Sequence, residues 1–286
     1  MHKLTGIILL ILLSLNGFAS GGDKKVDHES HAHERHTYTV GVVPQFDIRR
    51  IHAIWRPILN ELEERTGHHF VLRGSATIPA FEKEFSTGNF DFAYMNPYHV
   101  VIASRDQGYV PLVRDVGRKL YGIIVVRKDS PIKSVAELDG KKVVFPAPNA
   151  LGATLLSRSE MLDKYQVSVS PDFVQTHSSV YLNVALGEAV AGGGVQKTLA
   201  RQAPEISDTL RVLYRTQKVS PHPFTVHSRV PESVRQKVLD AMLDMGKTDK
   251  GQKMLAKIPV KQIGPAAMSD YSPLKDMKLE RFYQHW

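Results

Sequence analysis

Residues 39–74 read TVGVVPQFDIRRIHAIWRPILNELEERTGHHFVLRG. The apolar run Thr39-Val40-Gly41-Val42-Val43, stopped by Pro44, predicts a strand. Ile51, Ile54, Trp55, Ile58, Leu59 and Leu62 then recur at helical spacing, and Gly67 ends the pattern. Pro57 falls inside this stretch and predicts a kinked helix or a late start. Phe70-Val71-Leu72 is a second strand. Phe81 and Phe85 suit a short helix closed by Gly88. A third strand from Phe90 to Met95 leads into a helix from Pro97 to Arg105, with proline well placed in its first turn. This alternation predicts a mainly parallel sheet covered by helices on both faces.

The pattern then repeats. Strands are expected at Val110–Val113, Leu120–Val126, Lys142–Phe145, Phe173–Gln175, Leu210–Tyr214 and Phe224–Val226. Ser134 and Glu137 have capping-box spacing for a short helix ending by Gly140. Further helices are expected at Leu151–Lys164, from Val180, at Val195–Arg201 and at Pro231–Met245. Gly192-Gly193-Gly194 reads as a turn needing positive φ. Two α/β series joined by extended segments predict two lobes with a cleft between them. Open α/β sheets bind ligands beyond the carboxyl ends of their strands, so the cleft is the expected site.

The chain has 286 residues, 42% apolar and 23% charged, with a net charge of +8. This is a globular composition, long enough for two domains. The charge is spread without a basic stripe interleaved with aromatics, which argues against a nucleic-acid partner. Cysteine is absent, so disulfides, thiolate metal sites, Cys nucleophiles and a lipidated N-terminal Cys are excluded. His2-Lys3, the apolar run Ile7–Leu15 and the small residues Gly17, Ala19, Ser20 and Gly21 have the order of a signal peptide, with cleavage expected after Ala19. No later apolar run has spanning length. A polar tether follows, carrying His28, His31, His33 and His36. Its main reading is a solvated linker, with weak capacity for Zn, Ni or Cu.

Several stretches together resemble the phosphate, phosphite and phosphonate solute-binding proteins of ABC uptake systems, which have the type 2 periplasmic binding fold. They are Gly41-Val42-Val43-Pro44 with Trp55 and Pro57; Phe90–Tyr94; YGIIVVRKDSP at 121–131; SVAELDGKKVVF at 134–145; Pro148-Asn149 with the following helix; and His177 with its helix. The tail from Val230 to Met277 is similar too, so the resemblance covers nearly all of Tyr38–Met277. It implies an α/β two-lobe (Venus-flytrap) receptor, monomeric and non-enzymatic, without a cofactor. Such a receptor captures a small ligand and docks on a membrane permease. The implied organisation is a signal peptide at 1–19, the tether at 20–37, lobe one at 38–125 plus 225–286, and lobe two at 126–224. The hinges would lie near Val125–Lys128 and Val219–Phe224. The implied location is the periplasm.

The resemblance also nominates ligand-binding residues: Gln45, Ile78, Tyr94, Met95, Asn96, Asn149, Ala150, Leu151, Gly152, Thr154, His177, Ser178 and Ser179. Where the family has a Ser-Thr-Ser turn at a helix N-terminus, this chain has Ala150-Leu151-Gly152. Two aromatic contacts of the family fall at Ile78 and Met95, and an acidic one at Val190. These replacements imply a less charged or partly apolar ligand, or an oxyanion held mainly by backbone N–H groups and His177. Ser130-Pro131-Ile132-Lys133 fits SxxK, but no GxSxG, HExxH or Walker A spacing accompanies it. A receptor of the same fold partnering a membrane sensor kinase, or a metal-delivery protein using the His-rich tether, would share this sequence pattern.

Overall fold

The computed structural model describes residues 35–258 and 260–285. The predicted signal peptide and His28, His31 and His33 lie outside the described residues. The first lobe is built on a six-stranded sheet of β1 (Thr37–Val42), β2 (His69–Gly74), β3 (Phe92–Tyr94), β4 (Val110–Asp115), β10 (Phe224–Val226) and β11 (Ile263–Pro265). Its order is β11-β4-β10-β3-β1-β2. The second lobe holds β5 (Gly122–Arg127), β6 (Lys142–Phe145), β7 (Ser170–Phe173), β8 (Gly192–Val195) and β9 (Leu210–Arg215), in the order β7-β6-β8-β5-β9.

Both sheets are mixed, which corrects the expectation of mainly parallel ones. Pairing is parallel where helices connect consecutive strands, at β2-β1-β3 and β7-β6-β8. It turns antiparallel at β10 and β5, the strands that follow the crossovers between lobes. The expected division after residue 125 also falls inside β5, which pairs along its whole length in the second sheet. The crossovers are therefore 116–121 and 216–223. They are tied by Leu120 and Val219, which exchange backbone hydrogen bonds of 2.9 and 2.8 Å.

Helix α1 (Ile48–Thr66) runs unbroken through Pro57. Asp47 caps its start, and Gly67 closes it at φ 76°, a conformation that favours glycine. Its buried face, Ile51, Trp55, Ile58, Leu59 and Leu62, covers the first sheet beside α8 (Glu232–Met245) and α9 (Asp249–Lys257). Helices α2 (Ile78–Ser86) and α3 (Pro97–Gln107) cover the other face. In the second lobe a π-helical turn, Leu151–Leu156, continues into α4 (Ser157–Tyr165). Then follow α5 (His177–Leu186), which starts three residues before the expected Val180, and the short α6 (Gln196–Leu199) and α7 (Pro204–Ser207).

Gly192, Gly193 and Gly194 form most of β8 and are not a turn. Close packing demands them, not positive φ. A Cβ on Gly193 would lie 2.3 Å from the Ala153 carbonyl oxygen and from the Phe145 ring, and one on Gly194 would lie 2.1 Å from the Tyr181 hydroxyl. The run thus lets the π turn lie directly on the second sheet.

The lobes meet in more than the two crossovers. Leu151, Leu155 and Leu156 of the second lobe share a core with Tyr98, Tyr271 and Leu279 of the first. The chain's C-terminal segment also returns to α4. Arg281 pairs with Asp163 at 2.8 Å, and Ser159 donates to the Met277 carbonyl at 2.9 Å.

Candidate functional site

The space between the lobes holds two small adjoining chambers. Gln45, Leu120, Val195 and His222 border both. The first chamber is where helices begin. Ile78 opens α2, Asn96 caps α3, Ala150 precedes the π turn, and Thr176 and His177 open α5. Each helix start carries a partial positive charge and N–H groups with no intrahelical acceptor. No acidic side chain lines this chamber among the described residues.

Three of these starts are capped by their own side chains. Thr77 accepts from Ala80 N–H at 3.2 Å, Asn96 from Tyr98 and His99 N–H at 2.9 and 2.8 Å, and Thr176 from Ser179 N–H at 3.0 Å. The π turn has no side-chain cap, because its cap position is Ala150. Leu151, Gly152 and Ala153 line the chamber there. Loss of the hydroxyls therefore leaves first-turn backbone donors available to an anion.

His177 is half-buried at the first position of α5, and its Nδ1 is enclosed without a hydrogen-bond partner. His222 accepts from the Gln45 amide, Nε2 to Nε2 at 2.9 Å, which puts its own proton on Nδ1. Its ring stacks on Tyr94 at 5.5 Å. Burial pushes His177 down to about 4 and His222 down to about 3, the latter with help from Lys197, His99 and His177. Both imidazoles are neutral at pH 7. Unfolded imidazoles titrate near about 6.5. Below that pH the unfolded chain gains protons that the folded chain refuses, so stability present above about pH 6.5 falls toward about pH 4. The melting temperature of the ligand-free protein should drop over this window, with a shallower slope in His222→Gln. Equal slopes in the two proteins would contradict the assignment.

The other nominated residues are placed differently. Met95 is fully buried in the first lobe's core, away from both chambers. Thr154 is also fully buried, and its hydroxyl donates to the Ala147 carbonyl at 2.7 Å. Ser179 turns back to Thr176 at 2.8 Å, and Ser178 and Val190 are exposed outside the chambers. Asn149 belongs to a buried network. Its Nδ2 donates to Glu82 at 2.9 Å and to the Gln284 carbonyl at 2.8 Å, while its Oδ1 accepts from Gln284 N–H at 2.8 Å. Glu82 also holds His99 at 2.7 Å. Asn149 thus fastens the loop before the π turn to the first lobe.

Tyr94 lines the second chamber, with Lys197, Arg201 and Asp115, none of which sequence reasoning nominated. His222 was missed as well. Its signal was a histidine between Pro221 and Pro223 in an extended crossover. Of the four tether histidines only His36 lies in the described region, and no group of three metal-ligating side chains occurs among the described residues.

Residues 40–271 match the family described as the phosphonate periplasmic substrate-binding protein of an ABC transporter. The chain belongs to this family. It is 22% identical over 264 residues to the phosphate-import protein PhnD of Mycolicibacterium smegmatis, covering 83% of this chain and 80% of that protein. It is also 22% identical over 245 residues to the phosphonates-binding periplasmic protein of Escherichia coli, covering 80% and 72%. The structure of PhnD1 from Prochlorococcus marinus in complex with methylphosphonate superposes with a TM-score of 0.76 at 15% identity, over 86% of this chain and 98% of that one. This substrate-binding component is a two-lobe carrier acting outside the cytoplasmic membrane, and its family is not one of enzymes.

Proposed function

We propose that this binding protein captures a phosphonate, phosphite or phosphate oxyanion in the first chamber and delivers it, as a monomer, to an ABC permease. The observation that carries the reading is the uncapped π turn at Leu151–Ala153, facing a chamber that three other helix starts share and that no acid lines among the described residues. Backbone donors take the place of the missing hydroxyls, and His177 adds an enclosed nitrogen. A leader cleaved after Ala19 would bring the chain to the periplasm. Closure would pivot on the Leu120–Val219 pair, driven by contacts the ligand makes with both lobes at once.

A thermal-shift titration tests this. At a hundredfold excess over its dissociation constant, methylphosphonate or phosphate should stabilise the protein by about 2.7 kcal/mol, a shift of several degrees. His177→Ala should weaken the effect. No shift with any phosphorus oxyanion, alongside a shift with a neutral organic solute, would overturn the reading.

A further inference from the structure

Segment 277–285 fastens both ends of the π turn that faces the first chamber. Before the turn stands Asn149, whose side chain meets the Gln284 backbone twice. Its Nδ2 donates to the Gln284 carbonyl and its Oδ1 accepts from the Gln284 N–H, both at 2.8 Å. After the turn, α4 is held at Ser159 and Asp163. The Arg281 guanidinium donates to both Asp163 carboxylate oxygens at 2.8 Å and to the Ser159 hydroxyl at 2.9 Å. The Arg158 guanidinium of α4 lies 4.3 Å from the centre of the Phe282 ring. The segment is itself anchored on the first lobe. Leu279 is fully buried in the core shared with α3, and the Tyr283 ring packs edge-on against Tyr98 at 5.5 Å.

The turn has reason to need outside support. A π turn is a rare conformation, and Ala150 gives this one no side-chain cap. The Ala150 carbonyl is shared between the Thr154 and Leu155 N–H groups at 2.8 and 3.2 Å. Yet the N–H groups of Leu151–Ala153 must stand still to receive an oxyanion, because ordering them at the moment of binding would cost affinity. We propose that segment 277–285 is a strap that positions this turn for its ligand, with the Arg281 side chain and the Gln284 backbone as its two fastenings. Asn96, which caps α3, donates from Nδ2 to the Asn149 carbonyl at 3.2 Å. The strapped turn is therefore kept in register with a helix start of the first lobe. Arg281 acts here as a positioning residue, through α4, and touches no ligand. The inference rests on the oxyanion reading of the first chamber.

Hydrogen exchange and calorimetry on the full chain test it together. Arg281→Gln combined with Gln284→Pro removes the guanidinium and the N–H that Asn149 accepts, and both positions are exposed. In the ligand-free double variant, amides within 151–156 should exchange about tenfold or more faster than in the parent, while those of β1 and β3 keep their rates. Methylphosphonate should bind the double variant about tenfold more weakly by calorimetry. Gln284→Ala keeps the backbone N–H and should match the parent in both measurements. Arg281→Gln alone should show about threefold of each effect, and it decides the matter if the double variant does not fold. Turn amides that keep the parent rate, or that loosen without weakening methylphosphonate, overturn the proposal. A loss in Gln284→Ala as large as that in the double variant overturns it too. If methylphosphonate does not bind the parent, the oxyanion reading falls and takes the inference with it, whatever the exchange rates.

Discussion

Glu82→Ala is expected to be among the most destabilising single substitutions in this chain. Glu82 and His99 are almost fully buried, with side chains 2% and 0% exposed. One carboxylate oxygen accepts from His99 at 2.7 Å and the other from Asn149 at 2.9 Å. Removing the carboxylate orphans a buried donor on each partner, at a cost of about 1–3 kcal/mol apiece, and leaves a cavity. The melting temperature should fall by about 10 °C. The loss also reaches the ligand site, because Asn149 joins the loop before the π turn to the C-terminal Gln284. Glu82→Gln keeps the shape and one acceptor, so it should lose about half as much. A change of less than about 2 °C in Glu82→Ala would show that the network is dispensable.

The second large effect is on binding. Ile78 stands at the first position of α2, half-buried and lining the first chamber. Aspartate there complements the helix dipole, so Ile78→Asp should fold with a melting temperature close to that of the parent. The same carboxylate faces the space assigned to the oxyanion. Two like charges about 5 Å apart at an effective dielectric of about 20 repel by about 3 kcal/mol, which is about a hundredfold in affinity. Ile78→Asn removes the same apolar side chain without adding charge and should cost about tenfold at most. Equal losses in the two variants would mean that the chamber does not select for negative charge.

The architecture was legible where a local pattern suffices to set structure. The spacing from Ile51 to Leu62 gave α1 and its buried face, and Gly67 marked its end. Ser134 and Glu137 gave the short 3₁₀ turn at Val135–Leu138, where the Glu137 carboxylate accepts from Ser134 N–H at 2.9 Å and from its hydroxyl at 3.0 Å. The Gly192–Gly194 run misled because glycine reads locally as freedom, whereas here it answers to Phe145, Ala153 and Tyr181 brought in from elsewhere. The site divides in the same way. Ala150, Leu151, Gly152 and His177 were nominated by motif position, and all four line the first chamber. Asn149 sits beside them in sequence, yet it is drawn into a network whose other members come from α2, α3 and the C-terminus. Lys197, Arg201 and His222 carried no shared local signal. A short helix after β8 and a crossover between lobes bring them together, and only the folded chain makes that juxtaposition.

On the proposed reading, backbone donors at the start of the π turn hold a phosphorus oxyanion in place of side-chain hydroxyls. A crystal structure of the protein with methylphosphonate tests it most directly. The predicted result places phosphonate oxygens about 2.7–3.2 Å from main-chain nitrogens within Leu151–Ala153, with His177 alongside. Phosphonate found only among Arg118, Lys119 and Lys218 in the outer chamber, with nothing bound at the π turn, would contradict it.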